Sequence, residues 1–331
     1  MGPRSREARG ANTVPPARTF LGAQFAPVGA AATASSAGRT RFAFVGLPLY
    51  VPYGDEPSGA SAPGERPAPS AADAVRAASA AYAGVLGHHD FDLGGPLVPP
   101  GVAAGFVDCG DVALRGEVAA DLEAGTRAVR EIVATGAVPL VVAGDHSAPP
   151  VVVRGLAADR PLDVLHIDAH LDMRDEVGGL RDGYSSPIRR LRELPWVRAV
   201  VQVGLREIGS ARGDEVAAAR AAGNVLVRAE EVHEHGVDGL VELFAPGGRV
   251  YVTIDVDGLD PSCAPGTLWP APGGLWFWQV SRLLRGVLGR SALAGIDICE
   301  LAPARDLQGH TALAAARLLM LAAGASLRRP V

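Results

Sequence analysis

The stretch VLHIDAHLDMRD, residues 164–175, places two carboxylates and an imidazole directly after a run of apolar residues. The apolar start predicts a buried strand, and side chains alternate between the two faces along a strand. Asp168, His170 and Asp172 therefore point the same way if the extended backbone continues past the strand. Two carboxylates and a histidine on one buried face cost stability unless positive charge lies between them. The stretch thus predicts a metal site at the end of a core strand.

Similar short apolar runs recur along the chain, separated by helical patterns. This alternation is typical of an α/β fold with helices around a mostly parallel sheet. We find no repeat and no linker after residue 40, so residues 41–331 are predicted to form a single catalytic domain. The runs that predict strands are RFAFVGLPL, GFVDCGDV, AVPLVVAGDHS, PLDVLHIDAH, VRAVVQVGLRE, NVLVRAEEV, GRVYVTIDVDGLD and ALAGIDICELAP.

The composition indicates a folded protein and excludes several classes of partner. Of 331 residues, 48% are hydrophobic and 20% are charged, and the net charge is −5. This charge gives no reason to expect nucleic acid or an anionic membrane as a partner. No apolar run approaches the roughly 20 residues needed to span a bilayer.

The cysteines and the first residues bear on the compartment. Three cysteines without a CxxC pair are no disulfide framework, so we expect a cytoplasmic protein. Residues 1–40 are rich in Ala, Arg and Ser and lack the apolar core of a secretory signal. They are predicted to be a disordered N-terminal tail.

Two further strand ends carry side chains of the same kind. VVAGDHS supplies His146, and YVTIDVDGLDP supplies Asp255 and Asp257. Ligands bind beyond the carboxyl ends of the strands in an open parallel sheet, so these groups should converge. The predicted metal ligands are His146, Asp168, His170, Asp172, Asp255 and Asp257. Four carboxylates are too much negative charge for one ion, and oxygen-rich ligands without thiolate suit a pair of Mn²⁺ ions better than structural zinc. Such a pair lowers the pKa of water and provides a nucleophile.

In these segments the chain resembles the ureohydrolases, the family of arginase and agmatinase. The resemblance covers roughly residues 42–325, with the motifs in the family's order. The matching segments are AGDHS (143–147), DAHLD (168–172), TIDVDGLDPSCAPGT (253–267), GGL (273–275) and GIDICELAPARD (295–306).

The resemblance implies a three-layer α/β/α sandwich and a dimanganese centre at the six ligand positions. It implies hydrolysis of a small guanidino compound to urea and a primary amine, by a homo-oligomer that is a trimer or a hexamer. Glu300 falls where the family holds the guanidinium group, although it is also readable as an ordinary strand-end carboxylate. Asp172 would act both as a ligand and as a proton acceptor near the reacting atoms.

The chain departs from the family at two places beside the expected site. Active relatives carry a histidine after DAHxD that is thought to shuttle protons, and here the segment RDGYSSPIRR aligns Tyr184 with it. The family's PGTGTP is PGTLWP here, which brings Leu268 and Trp269 next to the pocket. Trp269 is read either as a substrate-binding residue or as a core aromatic. The polar loop with which arginases bind arginine has no match, so the agmatinase and guanidino-acid branch is favoured.

Two alternatives stay open from the sequence. A formimidoylglutamase-like hydrolase, which releases formamide, also departs at the shuttle histidine and fits LDMR at 171–174. A non-catalytic protein that keeps its metal ligands but has lost the shuttle is the other. The sequence also allows a guanidino group on a secondary metabolite as the substrate, besides agmatine-like and guanidinobutyrate-like compounds.

Overall fold

The computed structural model describes residues 12–33, 40–51, 53, 70–156 and 159–329. Ten strands within these residues form one sheet. The strands are β1 (Thr13–Val14), β2 (Gln24–Phe25), β3 (Thr40–Leu47), β4 (Gly105–Val112), β5 (Val138–Ala143), β6 (Leu162–Ile167), β7 (Val197–Leu205), β8 (Val225–Arg228), β9 (Arg249–Asp255) and β10 (Ala292–Cys299). The α-helices are α1 (Ala71–Ser79), α2 (Val118–Ala134), α3 (Ala148–Gly155), α4 (Pro187–Arg192), α5 (Gly213–Ala221), α6 (Ala229–His235), α7 (Asp238–Val241), α8 (Phe277–Arg290) and α9 (His310–Ser326).

The sheet is parallel except at one edge. Its strand order is β1–β4–β3–β5–β10–β9–β6–β7–β8, and β2 also pairs with β4. β1 runs antiparallel to β4, and the other pairings are parallel. The predicted mostly parallel sheet is therefore confirmed, and each run of residues that predicted a strand contains one of β3 to β10.

Alternate side chains of the central strands enter two separate cores. In β3, Phe42 and Phe44 belong to one core, and Ala43 and Val45 belong to the other. Helices α1, α6, α8 and α9 cover the first core, and helices α2, α3, α4 and α5 cover the second. A sheet buried on both faces between helices is the three-layer α/β/α sandwich that the resemblance implied. None of the helices in the described residues is long and apolar enough to cross a membrane.

The N-terminal segment corrects one prediction. Residues 12–33 are part of the fold, because β1 and β2 both pair with β4. Phe20 is fully buried and stacks on Phe44 at a centroid distance of 4.7 Å. Its backbone N–H donates to Asp108 Oδ2 at 2.8 Å. The predicted disordered tail is wrong for this segment, and residues 1–11 and 34–39 lie outside the described part. Strands of two residues leave no periodic pattern in a sequence, which is why the segment was missed.

Candidate metal centre

Four neighbouring strands deliver the candidate residues to one edge of the sheet. The strands β5, β10, β9 and β6 are consecutive in the sheet and parallel. His146 comes after β5, Glu300 follows β10, Asp255 ends β9, and Asp168 follows β6. Parallel strands place their carboxyl ends at the same edge, so these residues meet although they are far apart in the chain.

His146 lies at the centre of this cluster, with its ring buried. Its Nδ1 atom is 2.9 Å from Asp168 Oδ2, 2.9 Å from Asp172 Oδ2 and 3.5 Å from Asp255 Oδ2. Despite these distances, Nδ1 has no hydrogen-bond partner among the described residues. A buried imidazole nitrogen that faces three carboxylates without a hydrogen bond has the surroundings expected of a metal ligand.

A buried hydrogen-bond chain behind His146 fixes which nitrogen carries the proton. His146 Nε2 lies 2.9 Å from Thr253 Oγ1, and the Thr253 hydroxyl donates to Asp297 Oδ1 at 2.7 Å. Because that hydroxyl proton is committed to Asp297, Thr253 accepts from His146 Nε2–H. The Nδ1 lone pair of a neutral His146 therefore points toward the carboxylates, as metal binding requires. Asp297 also accepts from the Tyr251 hydroxyl.

His166, which the sequence analysis did not single out, supports the other side of the cluster. It is fully buried in β6, and its Nε2 lies 2.9 Å from Asp168 Oδ2. Its Nδ1 is 3.1 Å from Gln202 Nε2, which can only donate. His166 thus donates from Nε2 to Asp168 and holds that carboxylate in place. Its position two residues before Asp168, on the same strand face, was the signal that could have found it.

Three sets of side chains in the described residues have ligand atoms within 4.8 Å of one another: two that contain several predicted ligands, and a third made of His146, Asp297 and Cys299. We call His146, His166, Asp168 and Asp172 the inner group. We call Asp168, His170 and Asp257 the outer group. In the outer group His170 Nδ1 is 3.1 Å from Asp257 Oδ2 and 3.3 Å from Asp168 Oδ1. The two groups share Asp168 and contain five of the six predicted ligands, and the sixth, Asp255, has its Oδ2 3.5 Å from His146 Nδ1.

The electrostatics of the cluster favour bound cations. Burial and the charges of Asp257 and Asp168 raise the pKa of Asp255 well above its usual value. Burial opposes a charge on His146, but the adjacent Asp168 and Asp172 carboxylates raise its pKa well above the usual value. Asp255 therefore resists ionisation and His146 gains a proton, which both indicate too little positive charge around this part of the cluster. The oxygen and nitrogen donor set fits hard divalent ions.

Asp172 and Glu300 occupy unusual backbone conformations. Their φ angles are 53° and 63°, in the left-handed region that side chains other than glycine rarely adopt. Such residues cost about 1–3 kcal/mol each and cluster at functional sites. Glu300 Oε1 accepts the His146 backbone N–H at 2.9 Å, so the predicted guanidinium-binding residue adjoins the metal cluster. Burial, followed by the charge of Asp145, raises the pKa of Glu300 to about 8.

Tyr184 is held next to the ligand segment by hydrogen bonds of its neighbours. Arg174 N–H donates to Ser185 O at 3.1 Å, and Ile188 N–H donates to Asp172 O at 3.1 Å. The Tyr184 ring packs against Tyr53 at a centroid distance of 4.6 Å, with 49° between the ring planes. Tyr53 was not anticipated, because it lies far from Tyr184 in the sequence. A catalytic role for Tyr184 stays a prediction.

Trp269 is not a core aromatic. Its side chain is 67% exposed, on the loop that follows β9. The alternative of a buried tryptophan is therefore wrong. A role in substrate binding stays a prediction.

The amino-acid sequence of the chain is similar to those of the members of one protein family. A model of the arginase family matches residues 41–324. The guanidinopropionase of Pseudomonas aeruginosa is 38% identical over 198 residues, which are 57% of this chain and 61% of that protein. The agmatinase of Pyrococcus horikoshii is 34% identical over 228 residues, which are 67% of this chain and 76% of that protein. The matches span only about three-fifths of the length of the first curated relatives.

Solved structures agree on the fold. The proclavaminate amidino hydrolase of Streptomyces clavuligerus superposes with a TM-score of 0.72 at 29% identity, covering 93% of this chain and 97% of that one. The formimidoylglutamase of Bacillus subtilis superposes with a TM-score of 0.75, but at 22% identity this shows the fold alone.

Proposed function

The chain belongs to the arginase family, and from this membership and the site geometry we propose that it is an amidinohydrolase that cleaves a guanidino compound to urea and a primary amine. The observation that carries the proposal is the buried Nδ1 of His146, which faces Asp168, Asp172 and Asp255 without a hydrogen-bond partner among the described residues. The names of the relatives, guanidinopropionase and agmatinase among them, favour a guanidino substrate.

Two divalent ions, Mn²⁺ in our proposal, would be held by His146, Asp168 and Asp172 of the inner group and by Asp168, His170 and Asp257 of the outer group, with Asp255 completing the set. His166 would support Asp168 rather than bind an ion, because its Nε2–H donates to that carboxylate. When bound, they would lower the pKa of water so that a nucleophile is available at neutral pH. The guanidinium carbon is a poor electrophile because its charge is delocalised, so the substrate must also be held in a fixed orientation.

Glu300 is proposed to provide that orientation. A carboxylate paired with guanidinium N–H groups forms charge-assisted hydrogen bonds, which are stronger than neutral ones and fix geometry. The Glu300 backbone N–H donates to Gly144 O at 2.9 Å, which anchors Glu300 to the segment that leads into His146. Asp172 is proposed to accept a proton near the nucleophile and pass it toward the leaving amine. Tyr184 is proposed to stand in for the family's shuttle histidine, because a phenol hydroxyl both donates and accepts hydrogen bonds.

The test is product release by the Mn²⁺-loaded protein from a panel of guanidino compounds with cationic, carboxylate and apolar tails. Urea from any member supports the proposal, and the preferred tail shows what the loop of Trp269 accepts. Formamide from formimidoylglutamate would instead support the alternative of a formimidoylglutamase-like hydrolase. Two bound Mn²⁺ ions with no product from any compound would contradict catalysis and favour a non-catalytic metal-binding protein.

A matched pair of variants checks the role of Glu300. Glu300→Gln keeps an oxygen for the His146 N–H but removes the charge, so kcat/KM should fall roughly 10- to 100-fold, as expected for a lost charged hydrogen bond. Glu193→Gln removes an exposed carboxylate that pairs with Arg181 at 2.8 Å and should leave kcat/KM unchanged. Metal content should match the wild type in both variants. Unchanged kcat/KM in Glu300→Gln would remove Glu300 from the substrate site.

The homo-oligomer and the cytoplasmic location remain predictions.

A further inference from the structure

The side chain of Arg206, just after β7, is bonded in an unusual way. Its hydrogen-bond acceptors in the described residues are all backbone carbonyl oxygens rather than carboxylates. The distances include 2.5 Å from Nη2 to Asp257 O and 2.6 Å from Nη2 to Ala271 O. The acceptors are the carbonyls of Gly204, Asp257, Gly258, Leu259, Ala271 and Pro272.

Apart from Gly204 in β7, these acceptors belong to two segments of the chain. Asp257 is a member of the outer group, and its carbonyl is one of the closest partners of Arg206. Ala271 and Pro272 close the loop that begins at Asp257 and carries Trp269. One guanidinium group therefore joins a metal-ligand segment to the far end of the loop that departs from the family pattern.

The backbone of Arg206 extends this connection to the remaining ligands of the outer group. Its N–H donates to Ala169 O at 3.1 Å, and Ala169 lies between Asp168 and His170. Ala169 N–H in turn donates to Asp257 Oδ1 at 3.2 Å. The segments that hold the outer group are thus bonded both to each other and to Arg206.

Close packing leaves little freedom at this junction. A Cβ atom on Gly258 would lie 2.8 Å from Asp168 N, and one on Gly274 would lie 2.6 Å from Arg206 Nη2. Asp260 closes the base of the loop, because its carboxylate accepts from Gly273 N–H at 2.9 Å and from Gly274 N–H at 3.1 Å. A change at Arg206 therefore has few ways to be absorbed locally.

We propose that Arg206 is a positioning residue that fixes the outer group and the Trp269 loop in one arrangement. The proposal rests on the proposed function, since it assigns Arg206 to one of the two metal sites of that function. The affinity for the outer ion and the shape of the substrate entrance then depend on the same side chain. Within the described residues Arg206 makes no hydrogen bond to His146, Asp168 or Asp172, so we expect the inner group to keep its ion.

The experiment compares Arg206→Lys with the wild type by Mn²⁺ titration, using calorimetry and metal analysis after dialysis. Lysine has three donors on one atom and cannot reach both segments as the planar guanidinium does. We expect one ion bound as tightly as in the wild type and the second bound roughly 10- to 100-fold more weakly, the usual effect of losing a residue that supports metal ligands. KM for the guanidino compound that releases urea in the panel should rise together with this loss of affinity for the second ion.

The matched control is Arg198→Lys, at the opposite end of β7. Arg198 donates from Nε to Asp163 Oδ1 at 2.8 Å and has no contact with the site. Both ions should bind this variant as they bind the wild type. Equal metal affinities in Arg206→Lys and wild type would overturn the inference while leaving the proposed function intact. Fewer than two ions in the wild type would overturn both.

A measurement on the wild type covers the case in which Arg206→Lys does not fold. Hydrogen–deuterium exchange with and without Mn²⁺ should show slower exchange on loading at Gly273 and Gly274, on the far side of the loop from the ligands. Exchange there that is insensitive to Mn²⁺, while the amides near Asp257 become protected, would show that the two segments are not coupled.

Discussion

The hydrogen-bond chain from His146 through Thr253 to Asp297 can be cut by a nearly isosteric change, Thr253→Val. Thr253 is fully buried, accepts from His146 Nε2 at 2.9 Å and donates to Asp297 Oδ1 at 2.7 Å. Valine keeps the shape but leaves His146 Nε2–H without its acceptor and removes one donor from Asp297, which still accepts from the Tyr251 hydroxyl. Two fully unsatisfied buried groups would cost about 2–6 kcal/mol, and because Asp297 keeps the Tyr251 hydroxyl we expect about 2–4 kcal/mol in total.

Two measurements separate the structural cost from the functional one. At about 2 °C per kcal/mol for a large domain, Tm should fall by roughly 4–8 °C. Because His146 is no longer held in the tautomer that presents Nδ1, Mn²⁺ affinity should fall roughly 10- to 100-fold. Thr126→Val is the control, since Thr126 is buried and donates to Val151 O at 3.3 Å, away from the cluster. A lower Tm in Thr253→Val with unchanged Mn²⁺ affinity would refute the argument that Thr253 orients His146.

Three further predictions follow from the same structure. Removing metal with a chelator should lower Tm more at pH 8 than at pH 6. Burial raises the pKa of Glu300 to about 8, and hydrogen bonds to Asp168 and Asp257 outweigh burial and raise the pKa of His170 to about 12. The metal-free folded state therefore binds more protons than the unfolded state and loses stability as pH rises. A metal-free Tm that is flat or rises between these pH values would contradict this. Tyr184→His should raise kcat near neutral pH if Tyr184 is the relay, whereas Tyr184→Phe should lower it, and equal rates in all three proteins would exclude the relay. Phe20→Ala should destabilise the fold by about 3–5 kcal/mol in chemical denaturation, because Phe20 is fully buried against Phe44, and a loss below about 1 kcal/mol would mean that residues 12–33 pack loosely.

The metal ligands were predictable because side chains alternate between the two faces of a strand, so residue spacing alone indicates which of them lie on the same face. Asp168 and Asp255 each follow an apolar run, and parallel strands bring their carboxyl ends to one edge. His166 and Thr253 lie two residues before Asp168 and Asp255, inside the strands and on the same strand face. Their role is not marked in the sequence, because a polar residue within an apolar strand is equally compatible with a buried structural hydrogen bond.

Other features could not be predicted, because nothing local in the sequence specifies them. Arg206 bonds to backbone carbonyls, and every residue type has a carbonyl, so no partner residue marks the contact. Tyr53 meets Tyr184 only because the loop after β3 reaches across the end of β5, where Asp145 Oδ2 accepts from Val51 N–H at 2.5 Å. Such contacts depend on the tertiary fold and not on spacing.

The supports of the metal cluster bear on whether the two departures from the family reflect a lost activity. Asp297 and His166 are fully buried polar residues whose hydrogen bonds orient His146 and Asp168. Buried polar networks of this kind contribute less to stability than well-packed apolar side chains of similar volume, so stability alone does not explain them. Tyr184 and Trp269 lie in loops that adjoin the ligands without replacing any of them. The two departures at Tyr184 and Trp269 thus leave the predicted metal ligands in place, which favours the proposed changed substrate over an inactive site.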